Sequence, residues 1–325
     1  MSKAGVWSRH PAALRLAGLL ALLAVLAGLW LLAGLGAGNR GFIIGLRATR
    51  LAALVTVGAS VGVATMLFQT VTANRVLTPS IMGFDALYLL LQNLLVLGLG
   101  VTGFAALAGP QRFALETGVM VALAATLFGT LLAQGTRDIA RTVLTGVILG
   151  VLFRAASGLV ARIADPSEYA IIQYSSFASF SRVDPAVLPW AMAATGVAVL
   201  AAMAMAARLD VLALGRDGAV SLGLRHDRVT LVALGLVAVL VSTATALVGP
   251  VAFFGLIVSG LTHALMRSPR HVLLLPAAAL IAMNLLLAGQ LLFDRLLGQQ
   301  GTLSVVIEFA GGLFFLSLLL KGRIR

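Results

Sequence analysis

The chain is a succession of long apolar runs, and this feature limits the fold more than any other. A helix that crosses hydrocarbon needs about 20 mostly apolar residues. Ten segments approach that length: 12–35, 51–71, 86–107, 113–132, 142–163, 188–207, 229–247, 251–266, 272–293 and 304–320. Only 10% of residues are charged and 60% are hydrophobic, with a mean hydropathy of +1.06. A soluble domain carries roughly a quarter charged residues, so this surface belongs in a lipid bilayer. The expected fold is all-α, a polytopic membrane protein of about ten helices, with 1–325 as a single transmembrane domain. The first run is too long for the apolar core of a signal peptide, about 7–15 residues, and is read as a retained span.

The net charge of +12 does not point to nucleic acid, because Lys and Arg gather in the cytoplasmic loops of membrane proteins. With ten spans and both termini in the cytoplasm, roughly twice as many Lys and Arg fall inside as outside. Lys3, Arg75, Arg137, Arg216, Arg267 and Lys321 are in the internal set, and Arg40, Arg47, Arg50, Arg112 and Arg295 are in the external one. Two loops stand out. Segment 165–187 is external. Segment 208–228, RLDVLALGRDGAVSLGLRHDR, is internal and mixes charges with Leu, Ala and Val at helical spacing. It predicts one or two short surface helices whose apolar side chains await a partner protein.

Several patterns carry no chemistry. Gly36-Gly38-Gly41 and Gly98-Gly100-Gly103 match GxGxxG but lack the strand, helix and acidic residue of a dinucleotide site. No GxxxxGK[ST] occurs, so the chain is not its own ATPase by that route. The absence of Cys removes disulfides and thiolate ligands. His10, His226, His263 and His271 are not paired at metal-ligand spacing. No cofactor and no catalytic constellation is expected. Gly58-Gly62 and Gly146-Gly150 place small residues one turn apart, which lets helices approach closely; whether they face a second subunit is open at this point. Arg154, Glu116 and Glu308 lie at apparent membrane depth, where a charge costs at least about 2.5–3.5 kcal/mol. Arg154 and Glu308 are candidates for a polar pathway. Arg154 and Glu116 also fit snorkelling to the interface.

Segments along nearly the whole chain resemble the FecCD-type permeases, the membrane subunits of ATP-driven importers for ferric siderophores, haem and vitamin B12. GLRATR (45–50) is similar to a basic motif before span two. Gln69, Asn74, Pro79 and Gly83 match a Q…N-P-L-A…P-x-x-L-G loop, with Arg75-Val76-Leu77 in place of P-L-A. TPSIMGFDALY (78–88) resembles the branch that handles catecholate or mixed siderophores. LALGRDGAVSLGLRHDRV (212–229) is similar to a loop that forms coupling helices. GPVAFFGLIV (249–258) and SVVIEFAGGLFFLSLLLKGR (304–323) resemble late segments, although Ser259-Gly260 replaces the usual Pro-His.

The resemblance implies a type II ABC importer permease bundle in the inner (plasma) membrane. It works as a homo- or heterodimer with a second permease subunit, with spans five and ten along the path. Implied partners are an ATP-binding-cassette ATPase dimer, which hydrolyses ATP on separate chains, and a periplasmic or lipoprotein substrate-binding protein. Implied ATPase-coupling residues are Leu212, Leu214, Gly215, Ala219, Leu222, Gly223 and Leu224; implied docking residues for the binding protein are Arg47, Arg50 and Arg295. Arg75 and Asp85 are expected to orient loop 68–88 on the same internal surface. The competing readings are a permease for vitamin B12, haem or a divalent metal, and an ion-coupled secondary transporter. The last predicts broken helices and ion ligands at the midplane.

Overall fold

The computed structural model describes residues 9–33, 40–107, 109–133, 139–296 and 303–320. Among these residues there are thirteen α-helices and no strand. They are α1 (Arg9–Leu32), α2 (Arg40–Thr72), α3 (Phe84–Ala106), α4 (Gly109–Ala133), α5 (Ile139–Ile163), α6 (Pro166–Ser175), α7 (Leu188–Ala204), α8 (Ala206–Leu212), α9 (Gly215–Ser221), α10 (His226–Val248), α11 (Phe254–Met266), α12 (His271–Leu296) and α13 (Leu303–Leu320). Each of the ten apolar runs corresponds to one helix; the additional three, α6, α8 and α9, are short. Among the described residues six helices are individually long and apolar enough to cross a membrane, and α7 with α8 passes the same test only when the pair, bent by 60°, is taken together. Gly36, Gly38, Lys3, Arg137 and Lys321 lie outside the described residues, as does the side chain of Arg295.

Helix α2 is the centre of the bundle. Leu54, Met66, Leu67 and Phe68 are fully buried on it. Gly58 and Gly62 settle what their spacing is for: a Cβ at either would strike the backbone of α12, at Met283 and Ala278 respectively. These contacts, with Thr70 beside His271, run α2 and α12 antiparallel at close range. The small residues thus serve packing within one chain. Ser60 and Thr195 share a buried hydrogen bond of 2.8 Å that ties α7 to the same core. Helix α1, by contrast, exposes Leu14, Leu20, Val25 and Leu29 and faces outward along most of its length.

Two stretches of non-helical backbone sit inside the bundle. After α2 the chain reverses at Ala73 (φ 49°), then climbs back to a 3-10 turn at Pro79–Met82 before α3. After α10 it passes Gly249 (φ 100°) and Phe253 (φ 57°) before α11. Thr78, Ser80, Gly249 and Gly255 line a shared cavity with Val61 and Thr65 of α2. Val61 is the middle of the apolar stretch 51–71, so the first break reaches near mid-depth; the second starts at Gly249, at the far end of α10 against Ala178, and runs to Phe253 at the start of α11. Irregular backbone at that depth is tolerated where protein or a polar cavity satisfies it. Loop 68–88 therefore does not spread over one face of the bundle as the sequence predicts. Gly146 and Gly150 of α5 make room for it: Met82 rests on Gly146, and Gly83 (φ 90°) lies against the Cα of Gly150.

Candidate functional site

Helices α8 and α9 form one face of the bundle, called here the loop face. The pattern L-x-L-G-x-x-x-A-x-x-L-G has a distinct task for each position. Leu212 and Ala219 are inward anchors, 3% and 0% exposed. Gly215 (φ 83°) and Gly223 (φ 79°) take the left-handed conformation that stops or redirects a helix. At the end of α9, Gly223 N–H donates to the Val220 carbonyl and Leu224 N–H to the Ala219 carbonyl. This is the paired Schellman closure, and Leu224 packs on the core as its apolar partner. Leu214 and Leu222 instead point away, 63% and 65% exposed, together with Val220 at 53%. Val220 is absent from the sequence-derived set because its position in the motif is not a signature one.

Two polar links hold this face. Arg216 donates to both carboxylate oxygens of Asp227, at 2.7 and 3.3 Å, fixing α9 to the start of α10. Asp210 of α8 accepts from the backbone N–H of His271 and pairs with its Nδ1, both at 2.7 Å. The His271 Nε2 lies 2.7 Å from the Thr70 hydroxyl on α2. One buried imidazole thus joins α8, α12 and α2. Sequence reasoning missed this pair, because Asp210 and His271 are 61 residues apart.

The mid-depth cavity holds Thr65, Thr78, Ser80, Asp85 and Thr245. Ser80 hydrogen-bonds the Asp85 carboxylate, whose charged neighbours are Arg154 and Glu308. Asp85 is therefore inside the bundle and not on the loop face, a correction to the expectation. Arg75 is exposed and lines a cleft of about 500 Å³ at the loop face, with His263 and Arg267. Arg154 is exposed on α5, its guanidinium beside the Gly150 that packs on Gly83, and Glu308 is half-buried on α13, next to the Gly311 that packs on Phe253. Glu116 neither lines this cavity nor snorkels. It is buried, bound to Arg112 at 2.6 Å and to Gln92 at 2.6 Å, while Arg112 sits over the Phe104 ring at 4.2 Å.

At the opposite face, Arg47 and Arg50 lie one turn apart on α2. The Arg47 guanidinium donates to the carbonyls of Trp30, Leu31 and Ala33, and the Trp30 indole donates back to the Arg47 carbonyl at 2.9 Å. Arg47 is thereby a cap on the end of α1. Arg50 is half-buried, and its Nε has no hydrogen-bond partner.

Residues 16–321 match the FecCD transport family. The chain belongs to the FecCD transport family. It is 35% identical over 311 residues to the petrobactin import system permease protein YclO of Bacillus subtilis (strain 168), covering 95% of this chain and 97% of that one. It is 30% identical over 277 residues to the petrobactin import system permease protein FatC of Bacillus anthracis, covering 85% and 78%. Its fold is similar to a solved inward-facing structure of a proposed metal-chelate type ABC transporter, with a TM-score of 0.79, 22% identity and coverage of 95% and 99%.

The FecCD motif residues of loop 68–88 now have physical roles. Gln69 donates to the Arg75 carbonyl and to the Ser259 hydroxyl, closing the reversal after α2. The Asn74 side chain accepts from Val76 N–H at 2.9 Å. Pro79 opens the 3-10 turn and Gly83 ends it. The loss of P-L-A at 75–77 leaves this framework standing, because the reversal is held by Gln69 and Asn74.

Proposed function

We propose that this FecCD chain is the membrane permease subunit of an ATP-driven importer for a ferric siderophore of the petrobactin kind, set in the plasma membrane with the loop face in the cytoplasm. The observation that carries the ATP-driven part is the apolar triplet Leu214, Val220 and Leu222, standing exposed on α8–α9 while Leu212, Ala219 and Leu224 anchor that unit to the bundle. Three large aliphatic side chains on a face otherwise rich in Arg are a partner surface. A rigid mount beneath them is what a motion-transmitting contact requires. The partner is an ATPase subunit, one beneath each copy of a permease dimer.

The dimer reading rests on Arg154. An exposed guanidinium midway along α5 cannot face lipid cheaply; it faces a second subunit and the path between them, with Glu308 and Asp85 close by. Ferric catecholates carry net negative charge, since deprotonated ligand oxygens outnumber the metal's charge. Arg154 then attracts the cargo, while Glu308 and Asp85 keep its stay short, because conduction needs binding weak enough to release. Of the docking candidates Arg50 suits a substrate-binding protein best, since a guanidinium fork fits carboxylates while the Arg47 guanidinium is engaged by the end of α1.

The experiment is co-purification and reconstitution. In proteoliposomes with the cognate ATPase and binding protein, Leu214→Asp/Leu222→Asp is expected to release the ATPase from the detergent-purified complex and abolish uptake of ferric petrobactin, with an unchanged melting temperature. A variant that still holds the ATPase and transports normally overturns the coupling assignment.

A further inference from the structure

A second groove, of about 750 Å³, lies at the loop face where the start of α1 meets the turn between α11 and α12. Its lining is apolar at Leu16, Val272 and Leu273 and basic at Arg15, Arg267 and Arg270. Among the described residues none of the three arginines has an ion-pair partner. Asp210, which lies beside this turn, is taken by His271. Arg15 donates from one nitrogen to the Leu265 and Met266 carbonyls at the end of α11, at 2.8 and 3.2 Å, which holds its guanidinium in the groove lining.

Arg267 is the telling residue. It ends α11 in the left-handed conformation, φ 49° and ψ 36°, a position that glycine normally fills. A non-glycine side chain there costs roughly 1–2 kcal/mol, and the chain keeps an arginine. That arginine forms part of the wall of this groove and of the neighbouring 500 Å³ cleft.

We infer that this groove binds an anionic phospholipid of the leaflet at the loop face, its phosphate on the arginines and its acyl chains along α1. A lining part basic and part apolar fits a lipid and not a soluble anion or a protein. Helix α1 is exposed along most of its length, and Leu14 of α1 and Val272 of α12 are exposed beside the groove. Basic pockets between spans on the cytoplasmic side are lipid headgroup sites by the same electrostatics. The inference uses the cytoplasmic placement of the loop face only to name the leaflet.

The test uses the purified full chain in detergent, without ATPase or binding protein, so its failure is separate from any failure of the transport reading. Phosphatidylglycerol, phosphatidylcholine and inorganic phosphate are titrated while the melting temperature is followed, and native mass spectrometry counts retained lipid. Phosphatidylglycerol is expected to stabilise saturably and to be retained, and the other two to do neither. Arg267→Gln/Arg270→Gln should weaken that effect roughly tenfold or more, since each basic residue near a lipid phosphate contributes about 1 kcal/mol. Arg267→Lys/Arg270→Lys should keep most of it, as should the charge-matched control Arg225→Gln/Arg228→Gln on the same face. Equal stabilisation by phosphatidylcholine or by inorganic phosphate overturns the proposal, and so does full retention by the Arg267→Gln/Arg270→Gln variant.

Discussion

His271 answers two packing problems with one ring. Its backbone N–H, at the start of α12, needs an acceptor, and Asp210 supplies one; its two ring nitrogens then join α8 to α2. His271→Ala removes both ring contacts, to the Asp210 carboxylate and to the Thr70 hydroxyl, and keeps only the backbone bond to Asp210, a loss of about 1–3 kcal/mol. The expected result is a lower melting temperature and weaker coupling of ATP hydrolysis to uptake; unchanged values for both remove the residue from the link. The two arginines of GLRATR divide in the same concrete way. Arg47→Glu should lower the melting temperature, because it strips the cap from α1 and repels three carbonyls. Arg50→Glu should leave the melting temperature alone and reduce the affinity of the binding protein, measured by surface-immobilised titration. If Arg50→Glu binds as the parent does, the docking role of Arg50 is lost. Nothing in the sequence separated these neighbours. Both are basic, external and one turn apart, and only the proximity of the α1 carbonyls distinguishes them.

At the scale of elements, the apolar helices were legible and the breaks were not. Ten apolar runs became ten helices because length and hydropathy alone decide whether a segment can rest in lipid. Loop 208–228 was legible as short amphipathic helices because αL glycines and buried small residues leave a periodic trace. Segment 73–83 was not, because Pro, Gly, Asn and Thr look the same whether a loop leaves the bilayer or folds back into it. What draws it inward is tertiary: Gln69 and Ser259 close its base, and Gly146 and Gly150 open a trough for its tip. Gly83→Ala tests that trough. The residue sits at φ 90°, and its Cβ would come within 2.6 Å of the Gly150 Cα. Left-handed strain of about 1–2 kcal/mol and overpacking of about 1–3 kcal/mol should together lower the melting temperature sharply. Gly98→Ala, which meets nothing within 4 Å, is the control.

For the whole molecule, the two breaks that share a cavity revive the ion-coupled alternative. Interrupted helices with ionisable groups near the midplane are what a secondary transporter uses to hold its coupling ion, and here Asp85, Arg154 and Glu308 stand near two of them. The composition of the cavity weighs the other way. Its polar lining is mostly Thr and Ser hydroxyls around one carboxylate, and a guanidinium beside that carboxylate opposes a bound cation. The loop face also carries an apolar surface that an autonomous carrier has no use for. The two mechanisms part in one reconstitution. With the permease alone in proteoliposomes, a proton or sodium gradient should produce no accumulation of ferric petrobactin. Adding ATPase, binding protein and Mg-ATP should produce it, and dissipating the ion gradient should then leave the rate unchanged. Glu308→Gln and Arg154→Gln should alter that ATP-driven rate several-fold without creating gradient dependence, since in this reading they meet cargo and not a coupling ion. Accumulation driven by the gradient alone would hand the mid-depth carboxylates to an ion and take the engine away from the loop face.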